Sequence, residues 1–144
     1  MPYTINKVDV WAADIPNRPG TLEQVLDGLK NAGAQLEFMI ARRVSVKTSR
    51  LFVAPIKGVK QQRAASKVGL ARAKGMYSMR IEGPDRAGLG AELTRAVAEK
   101  GINLRGASAA AIGRKVVFYL AVQAEKDLKG AVSAARALLN KRRA

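Results

Sequence analysis

The chain repeats itself at a fixed distance, and that repeat restricts it to architectures built from two like halves. Asn17-Arg18-Pro19-Gly20 returns as Asp85-Arg86-Ala87-Gly88, and Gly33-Ala34-Gln35-Leu36 returns as Gly101-Ile102-Asn103-Leu104. Both returns fall 68 residues on, Gly20 to Gly88 and Gly33 to Gly101. Self-similarity at one offset makes each copy a structural unit. Within 144 residues each copy has about half the chain. That is near the size at which a lone core is marginal, so two copies packed together are the expected stable unit.

Periodicity gives each copy the same order of elements. In the first, Val8, Val10 and Ala12 alternate with polar and aromatic neighbours in a strand from Ile5 to Ala13. Leu22, Val25, Leu26 and Leu29 then fall at helical spacing, with Gly33 where a helix ends. Leu36, Phe38 and Ile40 mark a second strand and Arg50 to Pro55 a third; Gly58 to Val68 reads as a basic helix and Leu70 to Lys74 as a short fourth strand. The second copy follows with Tyr77, Met79 and Ile81 in a strand, and Leu89, Leu93 and Val97 on a helix. Strands at Ile102 to Ala110 and Lys115 to Val122 come next, then a helix from Glu125 to Asn140 with Leu128, Val132, Ala135 and Leu139 on one stripe. Only Lys141-Arg142-Arg143-Ala144 follows, so the second copy is expected to lack its last strand. One mismatch stands out. The offset sets Val8 and Val10 on Met76 and Ser78, although the later strand's apolar face is Tyr77, Met79 and Ile81, which predicts a bulge or register shift in one of the two first strands.

Composition removes several functions. There is no cysteine and no histidine, hence no disulfide, no thiol nucleophile, no histidine base and no zinc site of the usual ligand types. The carboxylates are scattered singly, without a nucleophile-base pair, so no catalytic residue, cofactor or metal is expected. The start of the chain lacks a basic-then-apolar signal pattern, and the longest purely apolar run, Val116 to Val122, is too short for a membrane span. A soluble, cytoplasmic protein is the expectation. Against 11 acidic residues stand 26 Lys and Arg, a net charge of +15, and from Phe38 to Ile81 there are eleven basic residues and no acidic one. Such a field attracts polyanions without reading sequence.

The element order and the repeated loop together resemble the ACT domain family, small ferredoxin-like modules that bind amino acids and regulate metabolic enzymes. The resemblance covers the whole chain as two tandem copies, residues 1–74 and 75–144, and is nearest to free-standing tandem ACT proteins without a catalytic domain. It implies an α+β fold of two ferredoxin-like βαββαβ units with antiparallel sheets. Asn17-Arg18-Pro19-Gly20-x-Leu22 resembles the loop of the serine-sensing ACT domain of phosphoglycerate dehydrogenase, where a loop asparagine and an asparagine early in the second strand hold the amino acid across a domain interface. By that resemblance the loop position falls on Asn17 and Asp85 and the strand position on Gln35 and Asn103. Asn17 and Gly20 would then face Asn103, and Asp85 and Gly88 would face Gln35.

The loop chemistry agrees with this. A turn delivering Gly20 to a helix start leaves unpaired amides where the helix dipole favours an α-carboxylate. Pro19 stiffens the entry, leaving Gly20 and Thr21 as donors, and Gly20 and Gly88 carry no Cβ to obstruct a ligand. Asp85, Asn103, Gln35 and Asn17 can accept from an ammonium group. The expectation is therefore an amino-acid sensor acting as a homodimer. The alternatives are a docking subunit for an acidic protein, or a weak, nonspecific nucleic-acid binder, since neither Arg50-Leu51-Phe52-Val53 nor the strand from Lys115 carries the Gly-aromatic pattern that stacks bases.

Overall fold

The computed structural model describes residues 2–140. Its strands are β1 (Thr4–Val8), β2 (Trp11–Pro16), β3 (Phe38–Arg43), β4 (Thr48–Ala54), β5 (Ala71–Arg72), β6 (Tyr77–Pro84), β7 (Leu104–Ile112) and β8 (Lys115–Val122). Its helices are α1 (Thr21–Asn31), α2 (Gly58–Lys67), α3 (Leu89–Glu99) and α4 (Glu125–Leu139). The fold is α+β, with two antiparallel four-stranded sheets in the orders β3-β4-β2-β5 and β1-β6-β8-β7. Each sheet with its two helices is a ferredoxin-like unit.

The expected first strand is two strands. The chain breaks at Asp9 and Val10, and β1 leaves the first copy to pair antiparallel with β6, Ile5 opposite Ile81. It takes the place of the strand that α4 does not supply, so the second copy has four strands after all. Contacts group residues 2–8 with 74–140 and leave 9–73 as a unit inserted between them, which corrects the expected division into 1–74 and 75–144. Residues 141–144, read from the sequence as too few for a strand, lie outside the described residues.

The same break removes the register mismatch. The strand equivalent to β6 is β2, and 68 residues on from Trp11, Ala13 and Ile15 lie Met79, Ile81 and Gly83, the positions that face the core in each strand. No bulge is needed in either first strand. The irregularity lies in β7, where pairing with β8 slips between Leu104 and Gly106.

Each unit buries its own core. In the inserted unit Trp11, Ile15, Val25, Leu29, Leu51 and Val53 come together under α1 and α2. In the other, Met79, Ile81, Leu93, Val97, Leu120 and Leu128 do so under α3 and α4, with Tyr3 and Ile5 packed against them. Helices α1 and α3 each end in a glycine-closed turn. The Ala34 amide donates back to the Leu29 carbonyl at 3.1 Å, and the Ile102 amide to that of Val97 at 3.4 Å. Gly83 seats β1, because a Cβ there would stand 2.7 Å from Cε1 of the Tyr3 ring, whose hydroxyl donates to the Pro84 carbonyl at 2.7 Å.

Since β1 covers β6, the open edge that suggested a homodimer is not the one expected. The outer edge of the second sheet is β7, nine residues long with Arg105 its one charged side chain.

Candidate functional site

The two repeated loops sit where strand gives way to helix. Gly20 caps α1 in the left-handed region at φ 91°, and Gly88 caps α3 at φ 84°, a conformation that β-branched residues essentially never adopt. Neither helix start has a side-chain cap; the Thr21 and Leu89 amides bond the Arg18 and Arg86 carbonyls at 3.4 and 3.3 Å, and the next amides of each first turn keep the polarity that receives anions. Asn17, Pro19 and Gly20 are exposed, as are Asp85 and Gly88.

What differs between the loops is how their side chains are committed. Asn17 is tied to the turn between β3 and β4. Its amide donates to the Lys47 carbonyl at 2.8 Å, its Nδ2 to that of Val46 at 3.0 Å, and its Oδ1 accepts from the Ser49 hydroxyl at 3.3 Å. Asp85 repeats only the backbone part, donating to the Arg114 carbonyl at 2.8 Å. Thr21 is buried, its hydroxyl 2.6 Å from the Pro16 carbonyl and 3.1 Å from that of Arg18. Its side chain is thus a strut for the loop and not a ligand donor. The equivalent position in the second copy is Leu89, which fills the same place with an apolar side chain.

The second loop carries its own ion pair. Arg86 grips Glu92 with two hydrogen bonds, Nη1 to Oε2 at 2.9 Å and Nη2 to Oε1 at 2.8 Å, and Glu92 Oε2 would lie 4.0 Å from a Cβ on Gly88. A carboxylate therefore already stands over the first turn of α3. In the first copy the matching positions are Arg18 and Gln24, and neither forms an ion pair among the described residues. The first loop is left with a free cation and an open helix start.

That ion pair also predicts the response to pH. Arg86 holds Glu92 below its ordinary 4.5, Arg50 holds Asp14 below 3.8 through a 2.7 Å hydrogen bond, and Arg80 holds Glu82 below 4.5. Arg86 is raised in turn, by Glu92 first and by the Tyr3 hydroxyl. A carboxylate depressed on folding contributes stability that is complete above its unfolded value and is lost as pH falls through the folded one. The expected unfolding midpoint is therefore level near neutrality, where this contribution is complete, and drops below about pH 4.5. A Glu92→Gln/Asp14→Asn variant should show a shallower acid limb in thermal scans from pH 7 to pH 3. An unchanged limb would assign the acid sensitivity to other carboxylates.

The strand positions lie elsewhere. Gln35 and Asn103 are exposed and precede β3 and β7 instead of lying inside them. Within each unit they stand at the far end of the 11-residue helix from the glycine loop, about 16 Å along its axis. Neither unit joins its own loop and strand positions. What each unit does bring to the loop is the following hairpin turn, a neighbour fixed by backbone hydrogen bonds that leave no mark on residue choice at 46–47 or 114. Sequence reasoning also missed two grooves between first helix and second strand. One, about 460 Å³, is lined by Leu26, Lys30, Leu36 and Met39; the other, about 200 Å³, by Leu93, Thr94, Ala107 and Phe118. Among the described residues no cluster of three acidic ligands could hold a metal, and no helix is long and apolar enough to cross a membrane.

With this geometry in view, similarity to known proteins can be placed on it. Residues 77–140 match the family described as ACT domain. None of the curated proteins compared matches the sequence. Solved structures similar in fold include a protein from Bacteroides thetaiotaomicron, with TM-score 0.76 and 12% identity over 91% of this chain and 90% of that one. The regulatory subunit of aspartate kinase from Thermus thermophilus, in a ligand-free form, has TM-score 0.63 and 17% identity over 94% and 96%. A putative C-terminal regulatory domain of aspartate kinase from Porphyromonas gingivalis has TM-score 0.57 and 19% identity over 95% and 96%. At these identities the likeness is one of fold, and it spans both units.

Proposed function

We propose, from the premise that residues 77–140 form an ACT domain, that the chain is a regulatory protein that binds a free amino acid and catalyses no reaction. The observation that carries this is the Gly20 loop: a left-handed glycine at an uncapped helix start, beside an Arg18 that forms no ion pair, where the other copy has already placed Glu92. The α-carboxylate would take the first-turn amides of α1 and Arg18, a charge-assisted contact roughly twice as strong as a neutral one. Because Gln35 stands a helix length from Gly20, the unit's own strand position does not supply the acceptor for the ammonium group at this loop. Asp85 and Gly88 form the weaker site, filled by the Arg86–Glu92 pair. Binding then biases one arrangement of the protein over another, which is how a ligand is passed on as regulation. A homodimer belongs to the same reading, with β7 the edge least guarded by charge.

Thermal unfolding with each common amino acid at millimolar concentration tests it. A ligand at a hundred times its Kd adds about 2.7 kcal/mol, several degrees in midpoint. Gly20→Val should abolish that shift relative to the variant's own unliganded midpoint, since space is open at Gly20 but a branched side chain is strained there and covers the amides. Gly88→Val should leave most of it. No response from any amino acid, or a shift lost only in Gly88→Val, would overturn the assignment.

A further inference from the structure

Helices α2 and α4 are the corresponding second helices of the two units, and they have been given opposite treatment. Helix α4 buries Leu128, Ala131, Val132, Ala134 and Ala135 and starts with Glu125 and Asp127. Helix α2 buries Ala65 alone and has no acidic residue in its first turn. Lys57, Lys60, Arg63 and Lys67 are all exposed, and at that spacing they form one stripe about 15 Å long. None of the four is paired with a carboxylate among the described residues. Unpartnered like charges at this spacing destabilise a helix, so local stability does not explain the stripe.

The stripe borders a shallow groove of about 1050 Å³ with an apolar floor. Val59, 63% exposed, and Ala64 line it together with Trp11, flanked by Lys60, Arg63 and Lys67. Trp11 is only 6% exposed, and the Arg72 guanidinium lies 5.3 Å from its ring centroid, itself paired with Asp9 at 3.4 Å. A nucleic acid would use the cations but finds no open aromatic face on which to stack a base, and it has no use for an exposed valine. A protein segment with carboxylates on either side of an apolar side chain uses both.

We propose that the outer face of α2, Lys57, Lys60, Arg63 and Lys67 around Val59, is a docking surface for an acidic segment of another protein that carries an apolar anchor. The surface shares no residue with the glycine loops, so it stands whether or not an amino acid binds there.

Fluorescence anisotropy at physiological salt tests it with three probes: a labelled peptide with glutamates at helical spacing around one leucine, a polyglutamate of equal charge, and a mixed-sequence single-stranded oligonucleotide. The leucine peptide should bind most tightly. Lys60→Glu/Arg63→Glu should weaken it by about tenfold or more, while reversing Lys126 and Lys129 on α4 should change it little. Val59→Ser should weaken the leucine peptide several-fold and leave polyglutamate unaffected. These positions are exposed, and circular dichroism confirms that each variant is folded. The proposal fails if the α2 variants bind the leucine peptide like the parent protein. It fails equally if the oligonucleotide binds more tightly than the peptide at the same salt and loses that binding in Lys60→Glu/Arg63→Glu, which would make the face a phosphate site.

Discussion

Removing residues 2–8 should strongly destabilise the unit to which they belong, although the cut lies more than sixty residues from the rest of it. The deletion takes away the five-residue ladder between β1 and β6 and the packing of Tyr3 and Ile5 against the core. For one large aromatic and one branched aliphatic side chain, each partly buried, that is about 4 kcal/mol, a large share of what holds a small domain together. It also bares the β6 edge, and an unpaired edge promotes association. Urea titration and light scattering should show a lower midpoint and larger particles. Moving the segment, so that residues 2–8 follow Ala144 through a short flexible linker, should restore the midpoint, because a strand after the second helix is what α2 and β5 provide in the inserted unit. A deletion variant as stable as the parent would show that β1 contributes little to this sheet.

The second large effect is expected at Leu93→Ala. Leu93 is 1% exposed in α3 and belongs to the cluster that includes Met79, Ile81 and Leu120. Losing its branched end should cost about 3 kcal/mol, in the lower part of the range for such changes, because the void opens toward the groove that Leu93 already lines and water can partly fill it. In calorimetry or thermal scans this is a drop of more than ten degrees for a unit of this size. Thr94→Ala, one residue on and exposed, removes a methyl group and a hydroxyl bonded to the Gly90 carbonyl within its own helix, and should shift the midpoint by a degree or two. Equal effects at the two positions would mean that α3 is held by its backbone and not by its buried face.

Sequence reasoning reached furthest where the determinant is local. Leu22, Val25 and Leu29 predicted α1, and Leu89, Leu93 and Val97 predicted α3, because helical spacing is written in neighbouring residues. The glycines at 20 and 88 predicted the loops, because a left-handed cap all but demands glycine. The division of the first strand was not legible. Alternation runs unbroken through Asp9 and Val10, and nothing in Thr4–Val8 states that its partner begins at Tyr77. The bulge in β7 was hidden for the same reason, since a slipped register is a property of two strands and not of one. At the site, the residue types that accept an ammonium group could be named from sequence. That Asn17 spends its side chain on Val46 and Ser49 could not, because those partners are fixed only once the hairpin closes.

The placement of β1 gives the protein an order of birth. β1 leaves the ribosome before the inserted unit, yet the strand it pairs with, β6, is made only after it, Ile5 waiting for Ile81. At 5–20 residues per second that wait is roughly 4–15 s, time enough for residues 9–73 to fold while β1 remains alone. Its composition suits the delay: Thr4-Ile5-Asn6-Lys7-Val8 is short, with polar and charged side chains between its apolar ones, so a nascent chain offers neighbouring chains little to pair with. The second unit is thus closed by a strand made before the inserted one, and it is complete only once β6 and the strands after it have followed.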